Sequence, residues 1–415
     1  MTIKKLIHRI FYINICIIAV SFSSIHAQEF SAKEIKKHVK YLASDKLEGR
    51  GTGTAGEQKS AAYLIKQFKK AGLQPYGEKG GFLQGYPAKK GLPPNITYVQ
   101  TANVVGYLDN NADRTIVIGA HYDHLGKGDQ GSSLQANSVG EIHNGADDNA
   151  SGTAGLIELA KYYSGNNITE KHNFLFIAFS GEELGLMGSK FYCDNPTIDL
   201  NTVNCMFNMD MIGRYRADKG VTIGGFGTSS FWGNHATDIA NKVGLNYNID
   251  SSGVGPSDHT SFYLKDIPVM FLFTGGHQQY HKPTDDANLI NGDGEAQLLE
   301  YIANVIAKLD ESPKIDFKKT TTPHARGAAS SFKVTLGVMP DYSYDKGGLK
   351  LDDVQEDRPA FNSGIKAGDI ILQLGDMKVR DIYDYMEALG KYEKGQTVKV
   401  TFKRGTEVIT KDLTF

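Results

Sequence analysis

FLFIAFSGEELGLMGSKFYCDNPTIDLNTVNCMFNMD, residues 174–210, holds two short apolar runs, each of which hands the chain to acidic residues. The first run, 174–179, ends just before Glu182 and Glu183, and the second, 203–208, ends just before Asp210. Runs this short, rich in Phe, Ile and Val, are strands buried on both faces, which is how strands of a parallel sheet read. Acids just past the carboxyl ends of such strands lie where open α/β sheets bind ligands.

Working outward, the same arrangement recurs. The run 115–120 precedes His121 and Asp123, and the run 267–273 leads through Gly275-Gly276 to His281. A further strand is expected over 221–224, and helices over 153–163, 231–243 and 294–309. Strands alternating with helices predict an α/β fold with a mostly parallel central sheet flanked by helices. Ahead of it, residues 30–72 show helical spacing interrupted by LEGRGTGTAGEQ (47–58), whose glycines make it a loop.

The two ends of the chain read differently. Lys4, Lys5 and Arg9 precede an apolar stretch, 10–22, and small residues then lead to Ala27, the pattern of an export signal cleaved before Gln28. That stretch is shorter than the roughly 20 residues a membrane span needs. The expectation is therefore a periplasmic or secreted bacterial protein with no stable membrane span after the signal is removed. Residues 28–310 form the main domain, 311–331 read as a linker, and 332–415 have a small β-rich pattern of their own, ending in a hairpin around Arg404-Gly405. A net charge of -2 argues against a nucleic-acid partner. Beyond the leader only Cys193 and Cys205 remain, as a disulfide or as two buried thiols.

His121, Asp148, Glu182, Glu183, Asp210 and His281 thus converge on one sheet edge. Buried carboxylates do not gather without a cation. Asp148, Glu183 and Asp210 would supply three negative charges against the four of two divalent ions, leaving Glu182 free to take a proton. Mixed imidazole and carboxylate ligands suit zinc, with manganese or cobalt as substitutes. Taken singly, each residue has a blander reading. Asp147 or Asp148 in GADDNASG (145–152) is an N-cap candidate, and Glu182-Glu183 is an acidic helix start. His124 reads as a structural or rim histidine and Met209 and Met211 as core.

HYDHLG (121–126), GADDNASG, SGEELGLMGS (180–189), NMDMIGR (208–214) and YHKPTD (280–285) together resemble the bacterial co-catalytic dizinc aminopeptidases, a family related to glutamate carboxypeptidase and glutaminyl cyclase. The resemblance implies two zinc ions per chain. His121 and Asp210 would hold one and Glu183 and His281 the other. Asp148 would bridge them, with a cis bond to Asn149. Glu182 would be the general base, and Asp123 would orient His121. Peptides would be the substrates, cleaved at the amino terminus. Competing readings are a one-zinc glutaminyl-cyclase-like acyltransferase, a carboxypeptidase using Arg214 or Arg216, and an inactive peptide-binding adaptor.

The tail resembles a PDZ domain. FKVTLGVMPDY (332–342) is similar to its carboxylate-binding loop, and PAFNSGIKAGDIILQLGDMKV (359–379) to the bacterial form of its central turn and strand. The implied partner is a peptide C-terminus, added to the sheet as an extra strand.

Overall fold

The computed structural model describes residues 30–90, 97–129, 132–135, 137–320, 334–340, 344, 346–354, 357–380 and 382–415. The expected export signal, 1–27, and most of the expected linker lie outside the described residues.

The main sheet contains β1 (Gln74–Pro75), β2 (Leu83–Lys90), β3 (Thr97–Leu108), β4 (Thr115–His121), β5 (Asn173–Phe179), β6 (Val203–Met209), β7 (Val221–Gly224), β8 (Tyr247–Ile249) and β9 (Val269–Phe273). Their spatial order is β1-β3-β5-β4-β6-β9-β7-β8, with β2 also paired to β3. Parallel pairing occurs in the middle of the sheet and again between β7 and β8 at one edge. β5-β4-β6-β9 run parallel, whereas β3 pairs antiparallel with β1, β2 and β5, and β7 antiparallel with β9. The sheet is therefore mixed, because β2 and β3 fold back on one another as a long antiparallel pair that the apolar-run pattern did not separate from a loop.

Alternation explains the unbroken apolar runs. Phe174, Phe176 and Ala178 of β5 join one core, and Leu175, Ile177 and Phe179 the other. Each large side chain so buried stabilises the fold by roughly 1.5–3 kcal/mol. The first core is roofed by α1 (Ala32–Leu42), α2 (Ala55–Lys70), α3 (Gly152–Gly165), α5 (Thr237–Lys242) and α7 (Gly292–Asp310), and the second by α4 (Met187–Asp194) and α6 (His259–Tyr263). At Gly119 in β4 a Cβ would stand 2.5 Å from the Phe179 ring, so only glycine lets that ring lie flat on the strand.

One sequence expectation changes here, the linker. The segment after α7 is not free spacer up to Thr320: Ile315 is buried, and Phe317 packs on Tyr263. Asp316 accepts from the Ser229 and Ser230 hydroxyls, and Lys318 N donates to Thr228 O at 2.7 Å. Two apolar residues two apart are too few to register as a period, but enough to anchor a strap. Cys193 and Cys205 are free thiols, buried in different cores, and burial pushes both thiols' pKa up. Among the described residues no helix is long and apolar enough to cross a membrane.

The C-terminal sheet, all antiparallel, is ordered β10 (Val338–Pro340), β11 (Leu349–Val354), β12 (Ile370–Leu374), β14 (Thr397–Arg404), β15 (Glu407–Thr414), with β13 (Met377–Lys378) beside β12. Short α8 (Pro359–Asn362) and α9 (Ile382–Leu389) complete it, and Leu336, Leu351, Ile371, Val400, Phe402 and Leu413 fill its core. β14 and β15 form the expected hairpin, with Arg404 opposite Glu407 and Gly405 in the left-handed region.

Candidate metal centre

His121 is the last residue of β4, and its ring is fully buried. Its Nε2 lies 3.3 Å from Asp148 Oδ1, 3.3 Å from Asp210 Oδ1 and 4.0 Å from Glu182 Oε2. The other oxygen of Asp148 lies 3.1 Å from His281 Nε2, which is 3.2 Å from Glu183 Oε2. The six side chains singled out by the spacing argument are thus brought together, with Asp148 between the two imidazoles.

Several local devices place Asp148. The Asp148–Asn149 peptide is cis, and Asn149 ties the turn to the end of β6 by donating to Met209 O at 3.0 Å and accepting from Met211 N at 3.2 Å. Asp285 Oδ2 accepts the backbone N–H groups of Asp147 and Asp148 at 2.8 and 3.1 Å. Asp147 turns away from the cluster and accepts from Gly213 N and Ser151 Oγ. Of the two adjacent aspartates, it takes the structural part.

Asp123 sits beside His121 in a way the sequence did not indicate. His121 Nδ1 meets the Asp123 backbone carbonyl at 3.2 Å, closer than the carboxylate at 3.7 Å. The carboxylate instead accepts from Thr52 Oγ1 at 2.9 Å and Glu182 N at 3.1 Å. Asp210 Oδ2 accepts from Ser257 Oγ at 2.8 Å, and Asn208 supports that serine in turn.

Three participants escaped the sequence reading. His124, expected as a structural or rim residue, is fully buried, and its Nδ1 lies 2.7 Å from Glu183 Oε1 and 3.8 Å from Asp148 Oδ2. The glycine-rich loop 47–58 reaches the site through Thr52 and through Arg50. The buried Arg50 guanidinium donates to the carbonyls of Leu42, Tyr122, Asn144 and Gly145. Glycines mask such a role, because they report turn geometry and not what the intervening side chains touch.

The electrostatics separate the acids. Burial raises the pKa of Glu182 well above the carboxylate range, with Asp210, Glu183 and Asp258 adding to it. Burial acts on Glu183 in the same sense, but His281 and His124 outweigh it and hold the carboxyl down at about 2. Asp148 is likewise held well below its usual value by His124, His121 and His281 against burial. Burial lowers the proton affinity of His121 and His281, yet the facing carboxylates win and raise both. Asp258, buried against the same group, is pushed up to about 7.

The donor set fits divalent cations. His121, Asp148 and Asp210 offer ligand atoms within 4.8 Å of one another, as do His124, Asp148 and Glu183. Among the described residues, no lysine or arginine forms an ion pair with Asp148, Glu182, Glu183 or Asp210. Four gathered carboxylates, buried or half-buried and paired with no lysine or arginine, make a site suited to an external cation.

Residues 103–306 match the sequence model of Peptidase family M28, and residues 333–414 match that of the PDZ domain. The leupeptin-inactivating enzyme 1 of Streptomyces exfoliatus is 33% identical over 157 residues, covering 36% of this chain and 34% of its own length. Aminopeptidase YwaD of Bacillus subtilis is 30% identical over 182 residues, covering 41% and 39%. The chain thus spans between a third and two-fifths of the length of these curated relatives. In fold, it is similar to a glutaminyl cyclase of Bacteroides thetaiotaomicron (TM-score 0.56, 17% identity, 67% of this chain and 97% of that one). A Zn-dependent exopeptidase of Parabacteroides distasonis is comparable (TM-score 0.54, 18% identity, 67% and 98%). A buried carboxylate and imidazole centre at the carboxyl edge of this sheet, within the matched segment, agrees with these likenesses: the chain carries a Peptidase family M28 domain followed by a PDZ domain.

Proposed function

We propose that the chain is an exported zinc-dependent aminopeptidase that uses two metal ions. The observation that carries this reading is the placement of Asp148, whose two oxygens face two separate imidazoles, His121 and His281, at 3.3 and 3.1 Å. One ion would be held by His121, Asp148 and Asp210, the other by Asp148, Glu183 and His281. Bound there, the ions would polarise the scissile carbonyl and lower the pKa of the attacking water.

The remaining work belongs to the chain's own groups. Burial raises the proton affinity of both Glu182 and Asp210, but Asp210 lies 3.3 Å from His121 Nε2 whereas Glu182 stands off at 4.0 Å, which leaves Glu182 the acid freer to exchange a proton. Its carboxyl takes a proton from the nucleophile and returns it to the leaving amine. Asp123 fixes Glu182 through its backbone N–H and His121 through the Asp123 carbonyl. Export is supported by the residue pattern before Gln28, and the aminopeptidase relative supports a free amino terminus as the substrate feature. In the C-terminal domain β10 is an edge strand, a place where a peptide C-terminus would add as a further strand.

A panel of aminoacyl amides and N-blocked peptides, assayed with zinc counted by metal analysis, tests the reading. Two ions per chain, cleavage only of unblocked substrates, and loss of activity in chelator that zinc restores are expected. Full activity in a stripped, folded chain would overturn it, as would conversion of N-terminal glutamine to its cyclic form with a single ion bound.

A further inference from the structure

His281 carries a left-handed backbone, with φ of 52°. A non-glycine residue persists in that backbone only where neighbours hold it. Three consecutive residues, Ser132 to Leu134, supply that hold. Ser132 O accepts from His281 Nδ1 at 3.0 Å, and Leu134 N donates to His281 O at 2.9 Å. The first bond fixes the ring so that Nε2 faces Asp148 and Glu183; the second pins the backbone.

The middle residue of the clamp is tied to the other domain. Arg358, just before α8, donates from its guanidinium to Ser133 O at 3.1 Å. The start of the same side chain lies over Gly337. A Cβ on that glycine would come within 2.2 Å of Arg358 Cβ, and Gly337 has φ of 71°, so the loop holding Leu336-Gly337-Val338 and the stem of Arg358 are fitted to one another. Ala360 N, two residues on, donates to Leu336 O at 3.0 Å. Arg358 is therefore anchored in the C-terminal domain and reaches out to the clamp on His281.

We propose that Arg358 is a positioning residue for the metal centre: through Ser133 it holds the clamp that orients His281, so that the C-terminal domain completes the site. Outer partners of metal-bound imidazoles set metal affinity, and losing one costs roughly tenfold or more. The proposal rests on the two-metal reading above and adds to it a dependence on a residue outside the peptidase domain.

The test uses the full chain and zinc alone. Arg358→Met keeps the aliphatic stem over Gly337 and removes the donors; Arg358→Gln is a second truncation, too short to span the gap. In competition with a chromophoric chelator, both should release one of the two zinc ions roughly tenfold more readily than the parent, with the other ion unchanged. Arg358→Lys, which restores a cationic donor, should recover most of the loss. Amide protection of the β14–β15 hairpin reports that the C-terminal domain remains folded. Truncated, folded chains that hold both ions as tightly as the parent overturn the proposal, whereas a parent chain that binds no second ion overturns the two-metal reading beneath it.

Discussion

Glu182 and Glu183 are neighbours in the chain, yet their carboxyls are driven in opposite directions. Glu182 looks toward acids and its pKa is raised, whereas Glu183 meets two imidazoles and is held at about 2. One glutamate is thus suited to move a proton and the other to remain an anion. Glu182→Gln should lower kcat by about 10²–10⁴-fold with both zinc ions retained. Glu183→Gln should lose metal and turnover together. Metal analysis alongside kinetics separates them, and loss of zinc from the Glu182 variant would show that residue to be a ligand.

His124 is placed to act on the second cluster from behind. Its Nδ1 bonds Glu183 at 2.7 Å, and its ring meets that of His281 edge-on at 5.8 Å. Removing it should weaken zinc binding on the Glu183 side roughly 10–100-fold and spare the His121 side. Chelator competition on His124→Ala reads this directly. Unaltered affinity for both ions would reduce the imidazole to packing.

Arg50 is fully buried, and its guanidinium serves four backbone carbonyls drawn from α1, the end of β4 and the turn before Asp148. Deleting it strands those acceptors, at about 1–3 kcal/mol for each one left without water. Arg50→Met should therefore cost at least about 3 kcal/mol in denaturant unfolding and weaken metal binding at the same time. A loss below about 1 kcal/mol would mean that water replaces the guanidinium without cost.

How much of this was legible follows from what each signal encodes. Unbroken apolar runs report burial on both faces, so β4, β5, β6 and β9 and the acids at their ends could be placed from spacing alone. The β2–β3 pair could not, because residues 83–90 carry Gly85 and Pro87 and bury Gln84 while exposing Leu83, so the run offers no contrast with a loop. The six-residue cluster was visible because charge at a strand end is unusual. Arg50 and His124 were not, since a single arginine among glycines and a second histidine in a motif carry no period. The contact between Arg358 and Ser133 joins residues 225 apart, which no local pattern can express.

Glu57 makes the last prediction, a pH dependence. Its carboxyl accepts from Gly53 N at 2.7 Å and Thr101 Oγ1 at 2.8 Å and from the Ser180 hydroxyl, and burial, with Asp123 nearby, raises it from 4.5 to about 8. Between those values the folded chain keeps a proton that the unfolded chain has released. The stability due to this proton is whole below pH 4.5 and is lost as pH rises toward 8. One proton corresponds to a fall of up to about 1.4 kcal/mol per pH unit in that window. Glu57→Gln forgoes the bond from Gly53, so it should be the less stable chain at pH 5.5, by about 1 kcal/mol. It lacks the titration, however, and the gap should close and then reverse by about pH 8.5. Unfolding curves of both chains across this range check the sign, and parallel pH profiles would mean that Glu57 is ionised in the folded protein throughout.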